Sequence, residues 1–203
     1  MKIGFRSQKK QNTGKGQSSG LSFLEYLHDI VYILGLILLI FTFCMRVVIV
    51  SGSSMFSTLV DGDYLLLLSK IFYSEPKQGD VVVLNRESFH EDQPIIKRII
   101  ATEGQTVDID FVTGTVYVDG QALVEPYINN LTTNSEGMVF PLTVEENCIF
   151  VLGDNRQVSK DSRNPEIGLV DEREILGKAI FLYLPGTHYG SHPMDFDRIG
   201  AIE

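Results

Sequence analysis

From Ile30 to Met45 sixteen consecutive residues carry no formal charge, and this run limits the fold more than any other part of the chain. At about 1.5 Å per residue a helix of that length spans about 24 Å, short of a ~30 Å hydrocarbon core. Extension toward Val50 closes the gap, so the expectation is a membrane helix over residues 26–50, with the Arg46 stem snorkelling to the interface. Residues 1–20 are polar, basic and rich in Gly, Ser, Gln and Lys, too poor in apolar surface to order themselves. Residues 1–50 hold six Lys or Arg against Glu25 and Asp29, a net +4, whereas the remaining 11 basic and 24 acidic residues give −13. The positive-inside rule then puts residues 1–25 in the cytoplasm as a basic tail, and residues 51–203 outside as an acidic domain. A cleavable secretory signal is the competing reading, because Ser51 and Ser53 form a small-x-small pattern; the long tail and the interruption by Arg46 argue against it.

An acidic body lacks the clustered cations that phosphate contacts require, which removes nucleic-acid binding from the candidate functions. Cys44 and Cys148 form no CxxC pair, and His28, His90, His188 and His192 form no zinc-ligand grouping with them, so no metal site is expected. After Leu59 the pattern becomes short apolar runs separated by turn residues: DYLLLLSK, DVVVLN, IIKRIIA, TVDIDF, TVYVDG, CIFVL and AIFLYL. They read as strands, with turns at Asp61-Gly62, Gly79-Asp80, Asp119-Gly120 and Gly153-Asp154. The expected fold is mainly β, a coiled sheet or barrel-like domain behind one N-terminal transmembrane helix.

Three segments carry candidate chemistry: SGSSM at 51–55, IIKRII at 95–100 and GDNRQVSKDSR at 153–163. On a strand Ile95, Lys97 and Ile99 share one face, so Lys97 has apolar neighbours. Burial disfavours an ammonium, and a lysine that loses its proton near neutrality can act as a base for a serine hydroxyl. That is a Ser-Lys dyad, the variant of nucleophilic activation that needs no histidine. The residues alone do not choose between Ser53 and Ser54.

Together the three segments resemble the motifs of the bacterial type I signal peptidases, membrane-anchored serine proteases that remove signal peptides from exported proteins. The resemblance runs from about residue 25 to 185 and includes GDYLLLL, PKQGDVVVL, IKRIIATEGQTV and IGLVDEREILGKA. It implies Ser54, the serine directly before Met55, as nucleophile and Lys97 as general base, with no cofactor. It implies that Ser159 holds the lysine amine, and that Gly52 lies beside an oxyanion hole to which the Ser54 N–H contributes. Arg98, Asp154, Asn155, Arg156, Asp161, Ser162 and Arg163 are expected to support the site, with Arg98 paired to Asp154. It also implies preprotein substrates with small residues at −1 and −3, received by apolar walls for which Val50, Met55, Leu59, Ile95 and Ile96 are the candidates. The expected place is a bacterial plasma membrane, crossed once. Where the family has proline this chain has Ser57, which leaves the loop after the serine with a less restricted φ. Two rivals remain: a non-catalytic pilus-assembly chaperone on the same fold, against which Ser54 and Lys97 both speak, and a self-cleaving Ser-Lys repressor, which needs a DNA-binding domain where the apolar run stands.

Overall fold

The computed structural model describes residues 18–85, 94–187 and 194–202. Most of the expected basic tail lies outside them, as do His90, His188 and His192. Two units are distinct, residues 1–42 and residues 43–203.

The first unit is built on one helix, α1 (Ser18–Cys44). Phe23–Cys44 has a mean hydropathy of 2.2 and none of it is buried, which makes it long and apolar enough to cross a membrane. The boundary differs from the expected 26–50. Length is gained at the N-terminal side, over residues 18–25 and across Glu25, while Met45–Ile49 is a strand. The reason is pairing: the β-branched run Val47-Val48-Ile49 lies antiparallel to YLLLL, with Val47 opposite Leu66 and Ile49 opposite Tyr64, a partner that a count of apolar residues does not see.

The second unit is mainly β. Its strands are β1 (Met45–Ile49), β2 (Tyr64–Ser69), β3 (Val81–Leu84), β4 (Ile95–Thr102), β5 (Thr106–Asp110), β6 (Thr115–Val118), β7 (Gln121–Ala122), β8 (Leu142–Thr143), β9 (Cys148–Leu152), β10 (Val170–Asp171), β11 (Ile175–Leu184) and β12 (Gly200–Ala201). An open, curled sheet runs in the order β1-β2-β11-β3-β4-β9-β10, with β12 added against β11, and a smaller sheet runs β7-β6-β5-β8. All seven strands expected from sequence are present; the additional ones are β1 and the two-residue pieces β7, β8, β10 and β12, too short to show any period. Register shifts at Ile99/Ala101 and along β11 let the large sheet curl.

Alternation along β3 shows how the curl is filled. Val81 and Val83 join one apolar cluster with Leu65, Leu67 and Ile96, while Val82 and Leu84 join another with Ile99, Ile149 and Val151. Both faces are therefore covered, and each such buried side chain contributes about 1.5–3 kcal/mol. A third cluster joins Ile100, Phe150 and Leu152 of β4 and β9 to Val107, Ile109, Val116 and Val118 of the small sheet. An Asp at Val82, fully buried between its neighbours, would put an unpaired charge into this packing.

Candidate active site

The three motif segments meet because of strand order. Residues 50–63 form the loop between β1 and β2, closed at its neck by hydrogen bonds from Val50 N–H to Asp63 O at 2.8 Å and from Gly62 N–H to Val50 O at 2.9 Å. Val50, Met55 and Leu59 plug this loop into the first apolar cluster, beside Ile96. On β4, Lys97 lies opposite Val82, on the face of Ile95 and Ile99. Arg98 is opposite Leu152, the last residue of β9, so the next residue in the chain, Gly153, begins the GDNR segment beside the cations of β4.

Lys97 is 3% exposed. Its Nζ donates to Ser54 Oγ at 2.9 Å and to the Ile96 carbonyl at 3.1 Å. Ser53 makes no such contact; its carbonyl accepts from Phe56 N–H and from the Asn155 side-chain amide at 3.0 Å. Burial lowers the Lys97 pKa to about 8, while the carboxylates of Asp161, Asp154 and Glu136 pull it back up and the Arg163 guanidinium pushes it down. A hydroxyl held against an amine that deprotonates this readily can lose its proton to it, which is the arrangement for nucleophilic attack.

Arg98, beside it in sequence, is 1% exposed and fully matched. Its Nε and Nη2 donate to the two Asp154 carboxylate oxygens at 2.9 and 2.8 Å, and Nη1 donates to Gly79 O at 2.8 Å. Such a fork-to-carboxylate bond is strong and directional. The Tyr127 ring stacks on the guanidinium, 4.0 Å from ring centre, and Thr58 Oγ1 donates to Asp154 at 2.5 Å, bringing the serine loop into the same network.

The GDNR segment clasps that loop directly. Asn155 N–H donates to Ser54 O at 3.0 Å while its side chain holds Ser53 O. Gly153, which leads into the bend at Asp154, is also a point of close approach, where a Cβ would overlap Ser159 Oγ and Cβ and the Ser54 carbonyl oxygen. Arg156 donates to Gly153 O and pairs with Glu125 and Thr132. Asp161 accepts from Gly153 N–H at 3.0 Å and holds Arg163, Ser162 Oγ accepts from Val151 N–H at 3.0 Å, and Arg163 reaches Asn134 O and Ser159 O.

Two expected placements differ, those of Ser159 and Leu59. Ser159 Oγ is buried but donates to no described acceptor, and the amine it was expected to hold is bonded to Ile96 O instead. Gly52, at φ +88°, donates its N–H to Asp61 Oδ1 at 2.7 Å and lines the same groove as Ser54, which shapes the loop next to the serine. Leu59 is fully buried in the apolar cluster, whereas Val50, Met55, Ile95 and Ile96 do line a groove of about 970 Å³ beside Ser54 and Lys97. Its lining also includes Gly52 and Ser53 of the serine loop and, on other sides, Val158, Lys160, Glu166 and Ile167.

Sequence reasoning missed the carboxylates below the loop. Asp63, fully buried, accepts from Val60 N–H and Gly186 N–H, each at 2.7 Å, and pairs with Arg198, which ties the C-terminal segment to the serine loop. The only sequence signal was the pair of carboxylates around Gly62, which reads equally as an ordinary turn. Glu136, which meets Arg163 at 3.4 Å, had no signal at all.

Residues 23–184 match the family model described as signal peptidase, peptidase S26. The chain is 35% identical to signal peptidase I T of Bacillus subtilis (strain 168) over 187 residues, 88% of this chain and 94% of that one. It is 34% identical to signal peptidase I of Bacillus licheniformis over 172 residues, 81% of this chain and 90% of that one. A crystal structure of a signal peptidase I from Enterococcus faecalis V583 aligns at 30% identity with a TM-score of 0.42, covering 52% of this chain and 97% of the other. A match along most of the chain, with relatives covered almost end to end, leaves one assignment: the chain belongs to the bacterial type I signal peptidases, a family of serine peptidases.

Proposed function

We propose that this protein is a membrane-anchored endopeptidase that removes N-terminal signal peptides from exported preproteins, with Ser54 as nucleophile and Lys97 as general base. The observation that carries the reading is the 2.9 Å contact between Lys97 Nζ and Ser54 Oγ, made by a lysine whose pKa burial lowers to about 8. Ser54 attacks the scissile carbonyl as its proton passes to the neutral amine; the resulting ammonium protonates the leaving amine, which departs as the mature protein. Lys97, neutral again, then takes a proton from water as the water oxygen attacks the acyl carbonyl, and the ammonium returns that proton to Ser54 Oγ as the acyl bond breaks. The Ser54 N–H stabilises the oxyanion in both steps.

Preproteins with small residues at −1 and −3 fit the apolar wall of Val50, Met55, Ile95 and Ile96. Helix α1 anchors the enzyme in the plasma membrane, with the N-terminus cytoplasmic and the catalytic domain outside. An anchored enzyme and a substrate whose own apolar segment lies in the same bilayer meet in two dimensions, which raises their effective concentration. The test is to incubate the detergent-purified full-length protein with a preprotein and follow the mature product on a gel. Cleavage by wild type and its absence in Ser54→Ala are expected; cleavage by Ser54→Ala that disappears in Ser53→Ala would overturn the assignment.

A further inference from the structure

Within Ser159–Arg163 four side chains are fully buried and only Lys160 projects outward. Its backbone is fixed from both sides, by Ser159 N–H on the Asn155 carbonyl before it, and after it by Asp161 on the Gly153 N–H and Ser162 on both polar groups of Val151. The Lys160 ammonium pairs with Glu166. Glu166 stands on the turn Asn164–Gly168, where its N–H donates to Asn164 Oδ1 at 2.9 Å, Gly168 N–H donates to Asn164 O at 2.8 Å and buried Ile167 is the anchor. Both charged residues line the groove, with Val158 and Ile167, whereas Val50, Met55, Ile95 and Ile96 make other parts of its wall apolar.

We propose that this ion pair reads the charge of the substrate side chain at −2 or +1 and favours acidic over basic residues there. The inference rests on the peptidase reading above. In an extended peptide successive side chains point to opposite sides, so when −1 and −3 enter the apolar pockets, −2 and +1 face away from them. A substrate carboxylate binds Lys160 by displacing Glu166, whose side chain is already 74% exposed and loses little in returning to water. A substrate ammonium would instead displace Lys160, whose side chain is only 49% exposed and gives up more contact with the groove wall on leaving the pair. The pair thus opens more easily toward acid than toward base.

The experiment is a matched series of one preprotein carrying Asp, Asn or Lys at −2, and separately at +1, with kcat/KM measured for wild type, Lys160→Glu and the charge swap Lys160→Glu/Glu166→Lys. Wild type should prefer Asp to Lys by about fivefold at one of the two positions, the scale of a half-exposed ion pair. Both variants should invert that order, and the swap retains an ion pair, so inversion there does not come from a damaged fold. An Asp-to-Lys ratio at both positions that is the same in wild type and the swap would overturn the proposal while leaving the peptidase reading intact. If wild type cleaved none of the series, the peptidase reading would fall, and this inference with it.

Discussion

Lys97 and Arg98 are neighbours on one strand, both cationic and both almost wholly buried, yet their surroundings are opposite. Arg98 meets a bidentate carboxylate, a carbonyl and an aromatic face. Lys97 meets a hydroxyl and a carbonyl, and among the described residues no carboxylate forms an ion pair with it. A matched buried cation holds structure together; an unmatched one is driven to give up its proton. Two residues 3.8 Å apart along the backbone thus serve stability and reactivity separately, through the partners the fold brings to each and through an amine that can give up a proton where a guanidinium cannot.

The largest effect that could break this contrast is on activity. Lys97→Arg keeps a cation at the position but cannot lose a proton near neutrality, so processing should fall by about 10³-fold or more, as far as with Lys97→Ala. A preprotein assay on equal amounts of folded enzyme checks this, and Lys97→Arg activity near wild type would remove the base from the mechanism.

Next comes stability, where the two positions should differ in sign. Arg98→Met leaves Asp154 buried without its partner and should cost about 3–5 kcal/mol. Lys97→Met removes a charge whose burial is unfavourable and should raise the melting temperature at pH 7. The lysine's folded pKa of about 8 lies below its unfolded value of 10.5, so the penalty is full below about pH 8 and is relieved as pH rises from 8 to 10.5. The stabilisation from Lys97→Met should therefore shrink across that window, and thermal melts in detergent at pH 7 and pH 10 measure it. Equal destabilisation by both substitutions would contradict the contrast.

Gly153→Ala should have an intermediate effect. The added methyl overlaps Ser159 and the Ser54 carbonyl, and because the cavity has no spare room the serine loop must shift. A shift of about 1 Å at a reacting atom lowers rate about 10²-fold, so kcat should drop more than the melting temperature does. Unaltered kcat would mean that the GDNR segment does not position Ser54.

The smallest effect sharpens the electrostatics. The Glu136 carboxylate raises the Lys97 pKa from a distance, so Glu136→Gln should move the acidic limb of the rate profile to lower pH, by less than about one unit. An upward shift would assign Glu136 a different part.

After Leu59 the longer strands were legible as runs of β-branched or leucine residues, and the face of Lys97 followed from alternation alone: Ile95, Lys97 and Ile99 are indeed neighbours of Val82. What the sequence hid depends on distant partners. Met45–Ile49 is apolar enough for a helix and becomes a strand only because β2 lies beside it. Leu59 and Met55 are both apolar loop residues buried in the first cluster, and only packing brings Met55 to the groove wall as well. Glu136 joins the site through Arg163 and Asp63 joins it through Arg198, across separations that no local pattern encodes.

The central claim is that Lys97 works as a neutral amine on Ser54, and the pH dependence of kcat/KM for preprotein cleavage tests it most directly. The profile should rise with a single acidic limb near pH 8, because the base is competent only above its pKa. In Lys97→Arg no residual rate should follow that limb. A limb near pH 6.5, the ordinary range of histidine, or a rate that does not change between pH 6 and 9, would contradict the account.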